Sequence, residues 1–304
     1  MRVSLLKKYF YSVLFLVTLS IATVARAGEE IEKSIQVPAN SHVFINNDRG
    51  DVEVTGWDKD QILVRGELAH DSQELIFKNK GEKTFIKVRV RKGSHRGNGH
   101  SMGASDLQIF IPENARLHFK GIDTDFTING LFAKVTGSTI NGELLIKNVH
   151  SKINVTSISG DINVSDSSGS VHVESMRGDV NVKGKFEDAH LQTVAGDIWT
   201  DISHINKLRT NNVAGSTIVE GHLINEASIE LASVNGDIDY KVAGMLNAEC
   251  ELTSQFGGDI NNNLTDDLPN KSQMQARQLR FVSGDGAGSV VMKTIVGTIN
   301  IDNR

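Results

Sequence analysis

One short sequence recurs along this chain and constrains its fold more than any other feature. A serine or threonine, an apolar residue and a variable residue precede Gly-Asp, which is followed by isoleucine or valine. The copies contain Gly50-Asp51, Gly160-Asp161, Gly178-Asp179, Gly196-Asp197, Gly236-Asp237 and, with one residue inserted, Gly258-Asp259. From residue 142 to residue 258 the glycines follow one another at intervals of 18, 18, 18, 19, 21 and 22 residues. A period of this length, with alternation inside each copy, predicts an all-β solenoid with coils of about 18–22 residues.

Each position of the repeat has an expected place in a coil. The glycine is expected to turn the chain with a φ that other residues avoid, and the aspartate to accept hydrogen bonds from nearby backbone N–H groups. The isoleucine or valine after it should point inward, and two strands should make up each coil. The apolar residues two positions before glycine are also expected to point inward: Ile140, Ile158, Met176, Val194, Val213, Val234 and Ile295.

The rest of the chain divides around this repeat. Residues 1–27 are typical of a signal peptide, with a basic start, an apolar run and a small-x-small end at Ala25 and Ala27. Residues 28–120 are expected to form an N-terminal β cap, and residues 121–304 the solenoid. Within the latter, residues 264–280 break the repeat and are expected to form a protruding loop, with a short helix near 272–280. We expect an exported protein, periplasmic or extracellular, with no membrane span after cleavage.

The net charge argues against nucleic-acid binding, and the cysteine content rules out an internal disulfide. The net charge of the chain is −5, and loss of the four basic residues within positions 1–27 would make it −9. A chain this acidic lacks the basic stripe that nucleic-acid binding requires. The single cysteine, Cys250, cannot form an internal disulfide and is expected in an inward column as a small apolar residue.

The repeated sequence resembles a family of bacterial envelope proteins known as DUF4097, which are described as β-strand-repeat proteins and candidate adhesins. GIN-type adhesin domains are similar. The resemblance extends from Gly50-Asp51 at one end to the closing Gly297-Thr298-Ile299 at the other. It implies a β-helix-like solenoid and no particular activity, because fold does not determine function.

Metal and catalytic chemistry are weakly supported by the sequence. One aspartate per coil supplies too few oxygens for the calcium sites of β-rolls. His172 and His190 occupy equivalent outward positions one coil apart, but no third zinc ligand follows in their column, which continues with Arg209 and Glu230. No catalytic signature is present, so we predict no cofactor, no metal and no enzyme activity.

The functional hypothesis is a non-catalytic structural or adhesive module of the envelope that binds a protein or glycan through its strand faces. The alternatives are a solenoid polysaccharide lyase or hydrolase and an accessory protein of an envelope signalling system. Trp199 is the candidate contact residue, because alternation places its ring outward in a column of mainly polar residues. The competing interpretation is that the ring packs under residues 201–206.

Overall fold

The computed structural model describes residues 29–69, 72–90, 103–271 and 276–304, and every regular element in these ranges is a β-strand. The residues of the expected signal peptide, 1–27, lie outside the described ranges. The buried apolar side chains form one cluster that extends from Ile31 to Ile301. The predicted all-β solenoid is therefore confirmed.

The central coils follow the repeat. They consist of β9 (Leu144–Ser159), β10 (Ile162–Arg177), β11 (Val180–Ala195), β12 (Ile198–Ala214) and β13 (Thr217–Asn235). Consecutive strands pair in parallel one coil apart, so that Ile162 lies beside Val180 and Val180 beside Ile198. Each coil is one long bent strand rather than the expected two. A residue with positive φ lies within several of these strands, for example Asp166 in β10, and bends the strand without ending it.

The N-terminal part stacks onto these coils and closes their end. Its strands are β1 (Glu29–Gln36), β2 (His42–Trp57), β3 (Gln61–Leu68), β4 (Ser72–Lys80), β5 (Lys83–Val90), β6 (Ser105–Pro112), β7 (Arg116–Leu131) and β8 (Val135–Asn141). Strand β2 lies between β7 on one side and β5 and β6 on the other, all in parallel. Strands β1, β3 and β4 pair antiparallel at the outside. Strand β7 crosses residue 120, where the cap was expected to end.

The C-terminal coils are not stacked in sequence order. The strands are β14 (Ile238–Val242), β15 (Ala248–Ser254), β16 (Ile260–Asn262), β17 (Asn270–Lys271), β18 (Arg277–Ser283), β19 (Gly288–Val296) and β20 (Ile299–Asn303). Strands β19 and β20 are inserted between β13–β14 and β15–β16. Antiparallel β18 then covers β15, which would otherwise present an unpaired edge.

The expected loop at 264–280 is therefore partly wrong. Residues 277–280 belong to β18, and Asn270–Lys271 form β17, which pairs antiparallel with it. Residues 272–275 of the expected helix lie outside the described ranges. The helix prediction fails at 277–280 because Leu279 and Phe281 alternate as a strand does, and both are buried.

Candidate functional site

The Gly-Asp turns stack directly on one another. Gly178 has a φ of +135°, and a Cβ built on it would lie 2.7 Å from the carbonyl carbon of Gly160 in the coil before. Gly50, Gly160 and Gly196 also have positive φ. Gly236 and Gly258 do not, yet a Cβ on Gly236 would lie 2.7 Å from the carbonyl carbon of Gly215. Close approach between coils therefore requires glycine even where the backbone angle does not.

A continuous line of carboxylates follows these glycines. We call it the acidic ladder: Asp106, Asp51, Asp125, Glu143, Asp161, Asp179 and Asp197, all exposed and in consecutive layers. Asp237 and Asp259 occupy the same column farther along, after Ser216 and Thr298. An oxygen of Asp161 accepts the N–H of Asp179 at 2.8 Å, and Asp179 accepts that of Asp197 at 2.8 Å. The aspartates thus tie each coil to the next.

The carboxylates of the acidic ladder are not neutralised. In the described ranges, none of its members from Asp106 to Asp197 forms an ion pair, whereas Asp259 pairs with Arg277. Partial burial, and then the like charges of Asp125 and Asp106, raise the pKa of Asp51. No group of three or more His, Cys, Asp or Glu suited to a metal ion occurs among the described residues.

An amide column runs two residues beyond the acidic ladder. The Asn181 side chain donates to the Asn163 side chain at 3.0 Å, and Asn261 donates to Asn300 at 2.7 Å. Trp199 lies in this column beside Asn181 and Ile218, half-buried and facing outward. Its indole forms no hydrogen bond within the described part of the chain.

The apolar residues two positions before glycine do not point inward as expected. Together with Ile122, which precedes Thr124 in the adjacent layer, they form a column of exposed apolar side chains in consecutive layers. We call it the apolar ridge: Ile122, Ile140, Ile158, Met176, Val194, Val213, Val234 and Ile295. Between 37% and 53% of the surface of each is accessible. The ridge spans about 34 Å at ~4.8 Å per layer.

The residue three positions before glycine takes the inward place instead. Thr193 and Thr294 are buried, and their hydroxyls donate to the carbonyls of Gly178 and Gly236. Two outward residues then follow before each glycine, so alternation is interrupted at this corner. The serine or threonine of the repeat was the signal for this arrangement, since a small polar residue fits at the buried corner. The threonines satisfy a carbonyl there, whereas the hydroxyls of Ser157, Ser175 and Ser233 have no hydrogen-bond partner in the described part of the chain.

The ridge widens toward the C-terminal end. Ala195, Ala214 and Val296 are exposed directly beside it. Phe256, 57% exposed, continues the surface past Ile295, and its N–H donates to the Ile295 carbonyl at 2.8 Å. In this half a second column adds apolar surface beside the ridge, interrupted by Asn235 between Ala214 and Val296.

The stacked histidines lie on a different face. The rings of His172 and His190 are 4.7 Å apart, and Arg209 follows in their column, paired with Glu230. Burial, followed by the charges of His172 and Arg209, lowers the pKa of His190. The concavity of about 400 Å³ beside them contains one carboxylate, Asp188, and no Phe, Tyr or Trp.

Cys250 lies in an inward column as expected, but its neighbours differ. Val290 separates it from Ile229, because β19 is inserted between β13 and β15. The side chain is buried, and burial raises the pKa of the thiol to about 12. The thiol therefore remains protonated and unreactive at neutral pH.

No helix in the described ranges has the length and apolar character needed to cross a membrane. No curated protein matches the chain in sequence.

The comparison with solved structures finds proteins of low sequence identity to the chain. A candidate lipid-binding protein of Parabacteroides distasonis is 15% identical, with a TM-score of 0.48 over 91% of this chain and 97% of its own. A candidate adhesin of the same organism is 12% identical, with a TM-score of 0.46 over 91% and 98%. A candidate adhesin of Bacteroides fragilis is 15% identical, with a TM-score of 0.43 over 90% and 97%.

The family comparison covers most of the chain. The model of the Toastrack DUF4097 family matches residues 40–302, from β2 to β20. The match includes the Gly-Asp turns, the acidic ladder and the apolar ridge. The chain therefore belongs to the Toastrack DUF4097 family.

Proposed function

We propose that this protein is a non-catalytic module of the bacterial cell envelope that binds a partner protein through the apolar ridge. The observation that carries the proposal is the alignment of eight exposed aliphatic side chains in consecutive layers. Single exposed apolar residues are ordinary, whereas a contiguous exposed stripe is typical of an interaction surface. Folding leaves roughly two-fifths of these side chains in water, and only a partner could bury that part, which favours a role in binding.

The apolar surface of the ridge would contribute a substantial part of the free energy of a contact. Full burial of an aliphatic side chain contributes about 1.5–3 kcal/mol, so covering the exposed two-fifths of eight would contribute roughly 5–10 kcal/mol before the costs of association. Covering Phe256, Ala214 and Val296 as well would add to this. Because association itself costs about 4–15 kcal/mol, the ridge would provide part of the binding energy and neighbouring surface the rest.

The location of the module rests on sequence. Residues 1–27 have the three parts of a secretory signal peptide, which supports export to the periplasm or beyond. Trp199 stays a candidate contact, since it faces outward beyond the acidic ladder and its indole has no hydrogen-bond partner among the described residues.

Catalysis on a glycan is less well supported. Glycosidases place two carboxylic acids on either side of the scissile bond, whereas the concavity beside His172 and His190 contains only Asp188. It also lacks an aromatic floor, and Arg209 is engaged by Glu230. Most carboxylates of the acidic ladder line an exposed corner. Asp106 also borders a second concavity of about 520 Å³ together with Glu30, Glu32 and Glu67, and no Phe, Tyr or Trp of the described ranges lines it.

The proposal is tested by removing apolar surface on and off the ridge. Val194→Ser with Val213→Ser removes two ridge side chains that are 40% and 43% exposed. The matched control, Leu268→Ser with Val282→Ser, removes exposed apolar surface elsewhere. Partners are cross-linked in cells, and the complexes are recovered through the protein and quantified, with melting temperatures measured in parallel.

We expect the ridge variant to lose its cross-linked partner while it stays folded, with a somewhat lower melting temperature because both valines are more than half-buried, and the control to keep its partner. Equal recovery with both variants would contradict the proposal.

A further inference from the structure

The ridge and the acidic ladder form one composite surface. In five consecutive layers an exposed aliphatic residue is followed, three positions later, by a carboxylate, as in Ile158 with Asp161 and Met176 with Asp179. Three residues of extended chain span at most about 10 Å. A partner in contact with the ridge would therefore lie within reach of the ladder.

The negative charge of this surface favours a partner that carries basic side chains. Seven carboxylates at intervals of ~4.8 Å, without ion pairs in the described ranges, create a strongly negative strip. In the five layers that contain both ridge and ladder, Arg177, which contacts Ser159, is the one basic side chain between them. In the layer of Asp51, Arg49 occupies the same place and pairs with Asp123. An anionic bilayer or an acidic glycan would be repelled, whereas lysine and arginine beside an apolar stripe would be attracted.

The spacing of the layers favours a helix as the partner element. Side chains on one helix face recur every 5.4 Å along the axis, close to the ~4.8 Å of the ridge, whereas those on one strand face recur every ~6.7 Å. A helix of about 22 residues would span the ~34 Å of the ridge. Its apolar stripe would cover the aliphatic column, and basic residues on one flank would face the carboxylates.

We propose that the apolar ridge and acidic ladder together bind an amphipathic helix of a partner protein whose apolar stripe is flanked by lysine or arginine. This inference rests on the proposed function and specifies the occupant of that surface. Helix recognition by an apolar surface is a common mode of protein binding, and here the ladder supplies orientation.

The test uses designed peptides of 22 residues and the protein as recovered from cells. The first peptide carries leucines along one helix face and lysines along one flank. The second replaces the lysines with glutamates, and the third has the composition of the first in scrambled order. Affinity is measured by fluorescence anisotropy at low and high salt, and helix formation on binding by circular dichroism.

We expect the lysine peptide to bind as a helix and the glutamate peptide at least roughly tenfold more weakly, since several exposed ion pairs act together. Salt should weaken the binding of the lysine peptide. Asp161→Asn with Asp179→Asn keeps an acceptor for the backbone N–H groups and should lower the affinity several-fold with an unchanged melting temperature. Val194→Ser with Val213→Ser should weaken the binding of both helical peptides.

Equal binding of the lysine and glutamate peptides, or of the scrambled peptide, would overturn the inference. If a variant does not fold, the inference is still decided by the affinities of the three peptides for the wild-type protein. If the ridge serine variant loses its partner in cells while the peptides do not discriminate, the helix inference fails and the proposed function stands. If the ridge variant keeps its partner, the proposed function itself fails.

Discussion

Adding one methyl group to a Gly-Asp turn tests the stacking of the coils. In Gly178→Ala the new Cβ would lie 2.7 Å from the carbonyl carbon of Gly160 and 3.1 Å from an Asp161 carboxylate oxygen. The obstacle is backbone of the adjacent coil, which cannot rotate away. The two coils must separate locally or Gly178 must change its φ of +135°.

The cost follows from strain and from lost pairing. A non-glycine residue at such a φ costs about 1–3 kcal/mol. Separation of these two coils also weakens the bonds from Gly160 N–H to Arg177 at 3.0 Å and from Ile162 N–H to Asp179 at 2.9 Å, at about 1 kcal/mol each. We therefore expect Gly178→Ala to lower the free energy of unfolding by roughly 4 kcal/mol. Because coils stabilise their neighbours, the loss should affect the whole stack.

Gly81 provides a matched control, because it has a φ of +64° and a Cβ there would meet no heavy atom within 4 Å. Gly81→Ala carries backbone strain alone, about 1–2 kcal/mol. Urea denaturation followed by circular dichroism gives both values from midpoints, with the slopes compared as a check. If the two variants lose stability equally, to within about 1 kcal/mol, close stacking of the turns is not what requires glycine.

Four further predictions concern single sites. Trp199→Ala should reduce partner recovery while the melting temperature stays near that of the wild type; lower melting with normal recovery would mean that the ring only packs. Asp51→Asn should raise the thermal midpoint at pH 7, because the raised pKa means that the charged carboxylate is unfavourable in the folded state. This gain should vanish as the pH falls through the pKa of Asp51, because the wild-type carboxyl is then neutral too. A gain that persists in acid would refute this. Cys250 should resist thiol reagents at pH 8 until the protein unfolds, because its thiol pKa is raised to about 12; rapid labelling would disprove burial. The exported chain should begin at Gly28 and appear in an osmotic-shock fraction, and an intact N-terminus in the membrane pellet would contradict export.

The sequence was sufficient to predict the solenoid and the inward place of the residue after Gly-Asp. Ile162, Val180 and Ile198 are fully buried in one column. The period of the repeat determines this burial, because each coil must return to the same register as the coil before it. The insertion of the β19–β20 coil was not predictable. The order in which coils stack depends on pairing between distant residues, and the local sequence of β15 is the same whichever strand lies beside it.

The candidate site was missed for a local reason. The prediction counts alternating positions backward from Ile198, the inward residue after Gly-Asp. This count continues across the turn and places Val194 inside and Thr193 outside. The turn contains an extra outward residue, so the phase changes there and the assignment is reversed. Apolar character alone could not reveal this, because valine is common on both faces of strands.

Photo-cross-linking at single positions tests most directly that the apolar ridge is the binding surface. A photoreactive residue is placed in cells at ridge position 158, 194 or 234, and at positions 245, 268 or 282, where exposed apolar side chains lie off the ridge. We predict one adduct of constant mass from the three ridge positions and none from the others. Adducts of equal yield from both sets, or from the off-ridge positions alone, would contradict binding through the ridge.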